Sequence, residues 1–278
     1  MPSDAPDAQS PAKPREGPEA PERNAFEKAW QARFVQFATL REDDAGIAGW
    51  STTGLETRFR CFRDLWRGAK SGALYFDVGC GAGTYSRWLA EQGLNVVGVD
   101  YSNLSLVKAK RRATDRIAYC AADAAHLPFA TASADGALCF GVLQAVWDSR
   151  AIVAELARVV RPGGEVWIDA LNAANLAARW DGIRRRLKGK RMHLRYESSG
   201  TLLDVMRHAG FQDLSRQWLI IVPNRLAALR SIAESDLVRW LLGAAPGLGS
   251  LASHSVVIRG IRGHGPDPAR QAEVRGAP

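Results

Sequence analysis

A turn with three alternating glycines constrains this 278-residue chain most strongly. An apolar run over residues 73–76 leads into Asp77, and Gly79, Gly81 and Gly83 follow at every second position. A buried strand that ends in such a turn leaves the peptide backbone without side chains. We therefore expect a ligand to lie almost directly on the backbone at this point.

A helix is predicted to follow the turn. Thr84 is the expected N-cap of a helix over residues 85–92, which Gly93 ends. The free N–H groups of that helix would face the turn. Such a site suits a ligand with a carboxylate or phosphate group.

The glycine spacing separates two classes of cofactor. A dinucleotide fingerprint, G-x-G-x-x-G, would place its third glycine where Thr84 or Ser86 stands. The chain instead reads D-x-G-x-G-x-G, which resembles the first motif of class I S-adenosylmethionine-dependent methyltransferases. A tight strand-to-helix turn without a ligand is the alternative interpretation.

A second apolar run, Asn95–Asp100, also ends in an acid. Asp100 follows the glycine turn at about the separation expected of a ribose-binding acid. Its carboxylate could accept hydrogen bonds from both ribose hydroxyls, and it would repel a 2′-phosphate. The alternative is a polar strand terminus. Ser102 is predicted to cap the next helix, over residues 104–112.

Three later motifs extend the resemblance. The predicted strand Ile117–Asp123 and the following Asp-Ala-x-x-Leu-Pro-Phe resemble the ubiquinone and menaquinone methyltransferase group, in which this acid accepts a hydrogen bond from the adenine amino group. Residues 133–144 read as a fourth strand, although Gln144 stands where relatives commonly have histidine. Residues 156–164 resemble the helix and turn before strand five. The apolar runs at residues 218–222 and 255–258 are predicted as strands six and seven. The resemblance is most specific between residues 77 and 164.

The resemblance implies an α/β fold: a Rossmann-like, doubly wound sheet of seven strands, mostly parallel, with the last strand antiparallel between strands five and six and helices on both faces. It implies S-adenosyl-L-methionine as cofactor. No metal site is predicted, since the four cysteines form no C-x-x-C pair. Arg58 is the candidate partner of the methionine carboxylate, with Arg60 or a plain surface arginine as alternatives. The candidate cofactor residues are Asp77, Gly79, Cys80, Gly81, Asp100, Tyr101, Asp123, Ala124, Phe140 and Arg58.

The chain outside the core motifs divides into several parts. Residues 1–23 are proline-rich and residues 263–278 are a loose tail, and both are expected to be disordered. Residues 24–70 are helical in pattern, with an aromatic stripe that either faces the core or forms a lid over the cofactor. The methyltransferase domain is predicted over residues 71–262, with a basic insertion at 173–197 and an amphipathic insertion at 224–251.

The positive charge of the chain is local. Arg179–Arg195 carries eight basic residues and one acid, a net charge of +7 against +8 for the whole chain. A solvated helix face is one interpretation. The other is a rim for an anionic or amphiphilic substrate, with an anionic membrane surface as partner.

These observations favour a cytoplasmic methyltransferase, with a peripheral position at a membrane as an alternative, that acts on a small-molecule, lipid-linked or saccharide-like acceptor by in-line displacement. An RNA or protein methyltransferase and a non-enzymatic cofactor-binding relative stay open, although nucleic acid is disfavoured because no RNA-binding module is recognisable. The catalytic residues stay unknown. The candidate bases are His126, Asp148, His193 and Tyr196.

Overall fold

The computed structural model describes residues 21–189, 194–222 and 224–264. The strands are β1 (Leu74–Val78), β2 (Asn95–Asp100), β3 (Ile117–Ala121), β4 (Ala134–Cys139), β5 (Val160–Leu171), β6 (Phe211–Leu219) and β7 (Ser255–Arg262). The α-helices are α1 (Pro21–Leu40), α2 (Asp44–Ile47), α3 (Thr52–Leu65), α4 (Thr84–Glu91), α5 (Asn103–Lys110), α6 (Ser149–Val159), α7 (Leu176–Leu187), α8 (Ser199–His208), α9 (Arg230–Ala233), α10 (Asp236–Ala244) and α11 (Pro246–Ala252).

The seven strands form one sheet in the order β3-β2-β1-β4-β5-β7-β6. The first five strands in that order are parallel, and β7 runs antiparallel between β5 and β6. The predicted fold class is therefore confirmed. In the register, Val78 lies beside Val99 and Cys139, so the carboxyl ends of β1, β2 and β4 lie at one edge of the sheet.

Two apolar cores lie on the two faces of the sheet. One core joins strand residues to α6 and α8, and it includes Leu156, Ile168 and Met206. The other joins the sheet to α3 and α4, with Phe62 and Leu89 fully buried. The helical segment that precedes the sheet is thus packed onto one face by α3.

The last two strands differ from their predicted bounds. The sequence indicated strand six at residues 218–222, whereas β6 begins at Phe211 and ends at Leu219. The first half of β6 is partly exposed and carries Gln212 and Asp213, because β6 is the edge strand of the sheet. An edge strand needs no continuous apolar run, and the sequence pattern therefore missed it. Strand β7 also extends beyond the predicted end, Ile258.

The predicted disordered segments lie mostly outside the described residues. This holds for residues 1–20 and for 265–278. Helix α1 begins at Pro21, inside the segment 1–23, and proline is favoured in the first turn of a helix because its missing N–H needs no partner there. The four cysteines are free; Cys120 is half-buried and the other three are buried. Within the described residues, no helix is long and apolar enough to cross a bilayer.

Candidate cofactor and acceptor site

A cavity opens at the carboxyl edge of the sheet. The structure brings eight of the ten predicted cofactor residues to its wall. They come from the turn after β1, the ends of β2 and β3, and the end of β4. These eight are Gly79, Cys80, Gly81, Asp100, Tyr101, Asp123, Ala124 and Phe140.

The glycine turn forms the floor of the cavity. The backbone N–H groups of Gly79 and Cys80 donate to Val99 O at 2.7 and 2.9 Å, which holds the turn against the end of β2. A Cβ on Gly79 would lie 2.1 Å from Val142 Cγ2, so a side chain does not fit there. At Gly81, with φ of 52°, the nearest atom would be Ala48 Cβ at 3.8 Å. Gly81 therefore leaves open a space that any side chain would fill.

Asp100 is held rigidly beside this floor. Its Oδ2 accepts from Gly81 N and its Oδ1 from Ser102 N, each at 2.8 Å. Burial raises the pKa of Asp100, and the two N–H donors oppose this effect. Each carboxylate oxygen keeps a further lone pair, so the carboxylate can accept hydrogen bonds from a ligand such as a diol.

Asp77 lies behind the floor. Its side chain is 1% exposed, it accepts a 2.6 Å hydrogen bond from Ser86 Oγ, and it does not line the cavity. Burial raises the pKa of Asp77 to about 6, against the lowering effect of the Ser86 hydrogen bond. The sequence had placed this acid with Asp100 and Asp123 around the ligand. In the structure it joins β1 to α4 beneath the turn, and a role in cofactor binding stays a prediction.

Arg58 also lies behind the wall. Its Nε donates to Asp169 Oδ2 at 2.6 Å, and its other nitrogens donate to Gly54 O and Ser255 Oγ. Its guanidinium lies over the Trp50 ring at 4.4 Å. Because these donors are engaged, Arg58 in this conformation does not offer a free fork to a methionine carboxylate. Its partner Asp169 accepts from Gly141 N at 2.6 Å, so the pair supports two residues of the cavity wall.

The alternative arginine is engaged elsewhere as well. Arg60 Nε donates to Glu234 Oε2 at 2.8 Å, and Arg60 does not line the cavity. The role of methionine-carboxylate partner, which the resemblance placed on the N-terminal helices, therefore stays a prediction, and neither Arg58 nor Arg60 lines the cavity.

Asp123 marks the outer end of the cavity. Its Oδ1 accepts from Ala125 N at 2.9 Å, and its Oδ2 lies 3.4 Å from His126 Nδ1. Both side chains are largely exposed. The local turn therefore presents a carboxylate and an imidazole at the rim, where they can contact a polar ligand group.

The N-terminal helices cover the cavity. Trp30 and Phe34 line it, and their ring centroids are 5.3 Å apart. The predicted aromatic stripe consists of Phe26, Trp30, Phe34 and Phe37, and two of these four residues thus lie at the cavity. Phe26 contacts Trp147, on the segment after β4, with ring centroids 6.2 Å apart. Residues 24–50 consequently reach from the glycine turn to the β4–α6 segment.

Asp44 links these helices to α4 and to Arg112 through its carboxylate. Thr84 Oγ1 donates to Asp44 Oδ2 at 2.5 Å, Arg87 pairs with the same oxygen, and Arg112 Nη2 lies 2.6 Å from Oδ1. Burial would raise the pKa of Asp44, but the Thr84 hydrogen bond and the two arginines hold it below its usual range. Thr84 is therefore not the N-cap that the sequence predicted; Gly83, with φ of 81°, occupies that position.

The segment after β4 closes the other side. Phe140 stacks on Tyr85 at 4.8 Å, and the rest of this wall is largely apolar. Among the candidate bases, His126 and Asp148 line the cavity, and Tyr196 does not. His193 lies outside the described residues. Asp148 Oδ1 accepts from Arg150 N and so caps α6.

Sequence reasoning missed several wall residues. Glu27, Asp44, Ile47 and Trp50 all line the cavity. They lie far along the chain from the motifs, and no local pattern links them to the cofactor. The one signal was the composition of the 24–70 segment, which carried an aromatic stripe without a partner in the predicted sheet.

Comparisons with known proteins agree with this geometry. A family model described as a methyltransferase domain matches residues 76–168. A demethylmenaquinone methyltransferase of Beutenbergia cavernae is 38% identical over 109 residues, which cover 37% of this chain and 45% of that protein. A ubiquinone biosynthesis O-methyltransferase of Idiomarina loihiensis is 32% identical, over 55% of this chain and 67% of that one.

A malonyl-[acyl-carrier protein] O-methyltransferase of Pectobacterium atrosepticum is 30% identical over 191 residues, which cover 66% of this chain and 72% of the relative. The chain belongs to the class I S-adenosylmethionine-dependent methyltransferases. The alignment spans less than half of the Beutenbergia relative and about two thirds of the Idiomarina one.

A solved methyltransferase shares the fold of this family member. Haemonchus contortus phosphoethanolamine N-methyltransferase 2, in complex with S-adenosyl-L-methionine, superposes with a TM-score of 0.59 at 17% identity. The match covers 89% of this chain and 61% of that chain. At this level of identity the likeness concerns the fold alone.

Proposed function

We propose that this methyltransferase moves the methyl group of S-adenosylmethionine to a small acceptor with an apolar, lipid-linked part. The observation that carries the proposal is the composition of the cavity. One side is the backbone floor with Asp100, and the other is an aromatic and aliphatic wall that includes Trp30, Phe34 and Val146. A polar cofactor and an apolar acceptor therefore each find a matching surface.

The chain's own residues fit the cofactor. Asp100 would accept the ribose hydroxyls, and the Asp123 turn would meet the adenine amino group, as the family resemblance implies. Gly81 would let the cofactor approach the backbone. When bound, the sulfonium supplies a good leaving group, so the protein must chiefly align the acceptor and exclude water.

Orientation is the main catalytic contribution in this proposal. Holding the acceptor in line with the methyl carbon can contribute about 7–11 kcal/mol in favourable cases. The apolar wall and the covering helices exclude water from this step. If the acceptor carries a proton that must leave, His126 and Asp148 are the two candidate bases at the cavity wall.

The names of the relatives support an acceptor that is apolar or is attached to a carrier protein. One is named a demethylmenaquinone methyltransferase, one a ubiquinone biosynthesis O-methyltransferase and one a malonyl-[acyl-carrier protein] O-methyltransferase. The basic segment Arg179–Arg195 supports the further proposal that an anionic membrane surface is a partner. Lys190, Arg191 and His193 of this segment lie outside the described residues.

Two measurements test the proposal. Calorimetry with S-adenosylhomocysteine should give micromolar affinity, an ordinary value for a cofactor. Asp100→Ala should weaken it by about 10-fold to 100-fold, since hydrogen bonds to a charged group contribute about 1.5–3 kcal/mol. Unchanged affinity in this variant would contradict the cofactor assignment.

A methyl-transfer screen then tests the acceptor. The protein is incubated with radiolabelled cofactor and, in separate reactions, with one of four acceptors. These are a short-chain prenylated hydroxyquinol, a malonyl thioester, a soluble sugar and total RNA. Preferential labelling of the prenylated acceptor supports the proposal, and preferential labelling of RNA or of the sugar contradicts it. For RNA, binding that falls steeply with salt would confirm the phosphate contacts of a nucleic-acid enzyme.

A further inference from the structure

Helix α7 carries its large apolar residues on its outer face. Leu176, Trp180, Ile183 and Leu187 are 59%, 64%, 53% and 83% exposed, and no residue of the helix is buried. At about 100° per residue, the four side chains fall within an arc of about 60°. We call these four residues the apolar stripe.

The opposite face of α7 is the less exposed one. Its half-buried residues are Ala178, Gly182 and Arg185, and Arg185 Nε donates to Asp181 Oδ2 at 2.7 Å. A helix on the surface of a globular protein normally turns its apolar side inward. Helix α7 does the reverse, because its small residues face the protein and its large apolar residues face outward.

Arginines flank the apolar stripe on both sides. By the same angular spacing, Arg179 and Arg186 lie on one side and Arg184 on the other, with Lys188 just past the last turn. None of these four forms an ion pair with the part of the chain that the structure describes. An exposed apolar stripe containing tryptophan, bordered by unpaired cations, is the pattern of a helix that lies in the surface of an anionic bilayer.

Residues on both sides of α7 are hydrogen-bonded to the rest of the fold. Before the helix, Asn175 Nδ2 donates to Ala252 O at 3.2 Å and so joins α7 to α11. After it, Arg195 N donates to Gln144 O at 3.0 Å. The neighbouring residue Ala145 lines the cavity. A bilayer that receives α7 would therefore lie close to the acceptor side of the cavity.

We infer that α7 docks on an anionic lipid bilayer, with the apolar stripe at the boundary of the acyl chains and the flanking arginines among the headgroups. The observations favour a bilayer over a protein partner because the stripe is bordered by cations on both sides. The link between docking and catalysis rests on the proposed lipid-linked acceptor. The docking itself does not depend on it.

Co-sedimentation with vesicles tests the docking without cofactor or acceptor. The protein should bind phosphatidylglycerol-containing vesicles and not pure phosphatidylcholine vesicles. Replacing Arg179, Arg184 and Arg186 by glutamine should lower the partition coefficient by about 100-fold, since each cation near an anionic surface contributes about 1 kcal/mol. The apolar variant Trp180→Ser/Ile183→Ser/Leu187→Ser should lower the partition coefficient by at least the same factor, since burying each large apolar side chain contributes about 1.5–3 kcal/mol.

A control uses α10, which also exposes a tryptophan and large aliphatic residues. Leu237, Trp240 and Leu241 of α10 are also exposed, at 66%, 66% and 43%. Their triple serine variant should keep vesicle binding. An equal loss in both serine variants would overturn the assignment to α7, as would equal binding to neutral vesicles.

Two further readouts separate the explanations. S-adenosylhomocysteine affinity should be unchanged in all α7 variants, because they lie outside the cofactor site. If the wild-type protein does not bind S-adenosylhomocysteine, the proposed function is contradicted, but the vesicle result still stands. If the wild-type protein is a dimer that the apolar variant converts to a monomer, and vesicles do not bind, the stripe is an interface between copies and the inference is wrong.

Discussion

The Asp77→Asn variant should gain stability over the wild-type protein as the pH rises from acidic to neutral. Asp77 is 1% exposed, and its pKa is raised by burial from 3.8 to about 6. A difference of about 2 pKa units corresponds to about 3 kcal/mol. Asparagine has a similar shape and can still accept the hydrogen bond of Ser86, but it does not titrate.

The sign follows from proton binding in the two states. Below about pH 3.8 both the native and the unfolded protein hold the proton of Asp77, so this group has no effect on stability. Between about pH 3.8 and 6 the unfolded state releases the proton and the native state keeps it. Stability therefore falls as pH rises through this window, and above it the cost stays constant at about 3 kcal/mol.

Urea denaturation of the cofactor-free protein measures this cost. The free energy of unfolding of Asp77→Asn minus that of the wild type should grow by about 2 kcal/mol between about pH 4.5 and 7.5, since part of the effect already appears below that range. Asp204→Asn, at an exposed acid on α8, gives the effect of the same substitution at the surface, expected within about 0.5 kcal/mol. A difference for Asp77→Asn that is flat or that shrinks with pH would refute the reasoning.

Three further variants test the site. Gly81→Val should abolish S-adenosylhomocysteine binding in calorimetry, whereas Gly72→Val, also at positive φ but with no atom within 4 Å of its Cβ, should lose stability only. Asp44→Asn should speed cofactor release in stopped-flow by roughly 10-fold to 100-fold, because a charge-assisted hydrogen bond contributes about 1.5–3 kcal/mol. Glu42→Gln, at an exposed neighbour, should leave the release rate unchanged. Arg58→Ala should lower the free energy of unfolding by about 3–5 kcal/mol, because it breaks a buried ion pair. Arg60→Ala should lower it by less than about 1 kcal/mol. Similar losses in the two variants would contradict this prediction.

The sequence predicted the sheet best where strands are buried. Strand β2 has the predicted bounds, because an apolar run with both neighbours in the sheet must be continuous and its end is marked by Asp100. Ser102 also caps α5 as predicted, since its hydroxyl accepts from Ser105 N. These features depend on residues close together in sequence, which is why a local pattern revealed them.

Features set by distant contacts escaped the sequence. Thr84 has the chemistry of an N-cap, but its hydroxyl donates to Asp44, forty residues earlier in the chain. Propensity for capping is a weak preference that such a contact overrides. The same holds for the wall residues on α1 and α2, whose position over the glycine turn follows from packing and not from any motif.

Arg58 lies next to the predicted site, but its hydrogen bonds are made to other residues of the protein. The sequence placed an arginine of the N-terminal helices near the cofactor, and the structure places its guanidinium against Trp50, a wall residue. Its Nε donates a hydrogen bond to Asp169, and the other carboxylate oxygen of Asp169 accepts from Gly141 N. In this arrangement Arg58 supports the cavity wall, and a direct contact with a methionine carboxylate stays a prediction. An Arg58→Lys variant would keep the positive charge but lose the fork of donors. We expect it to disturb the packing of the cavity wall at Trp50 and Gly141.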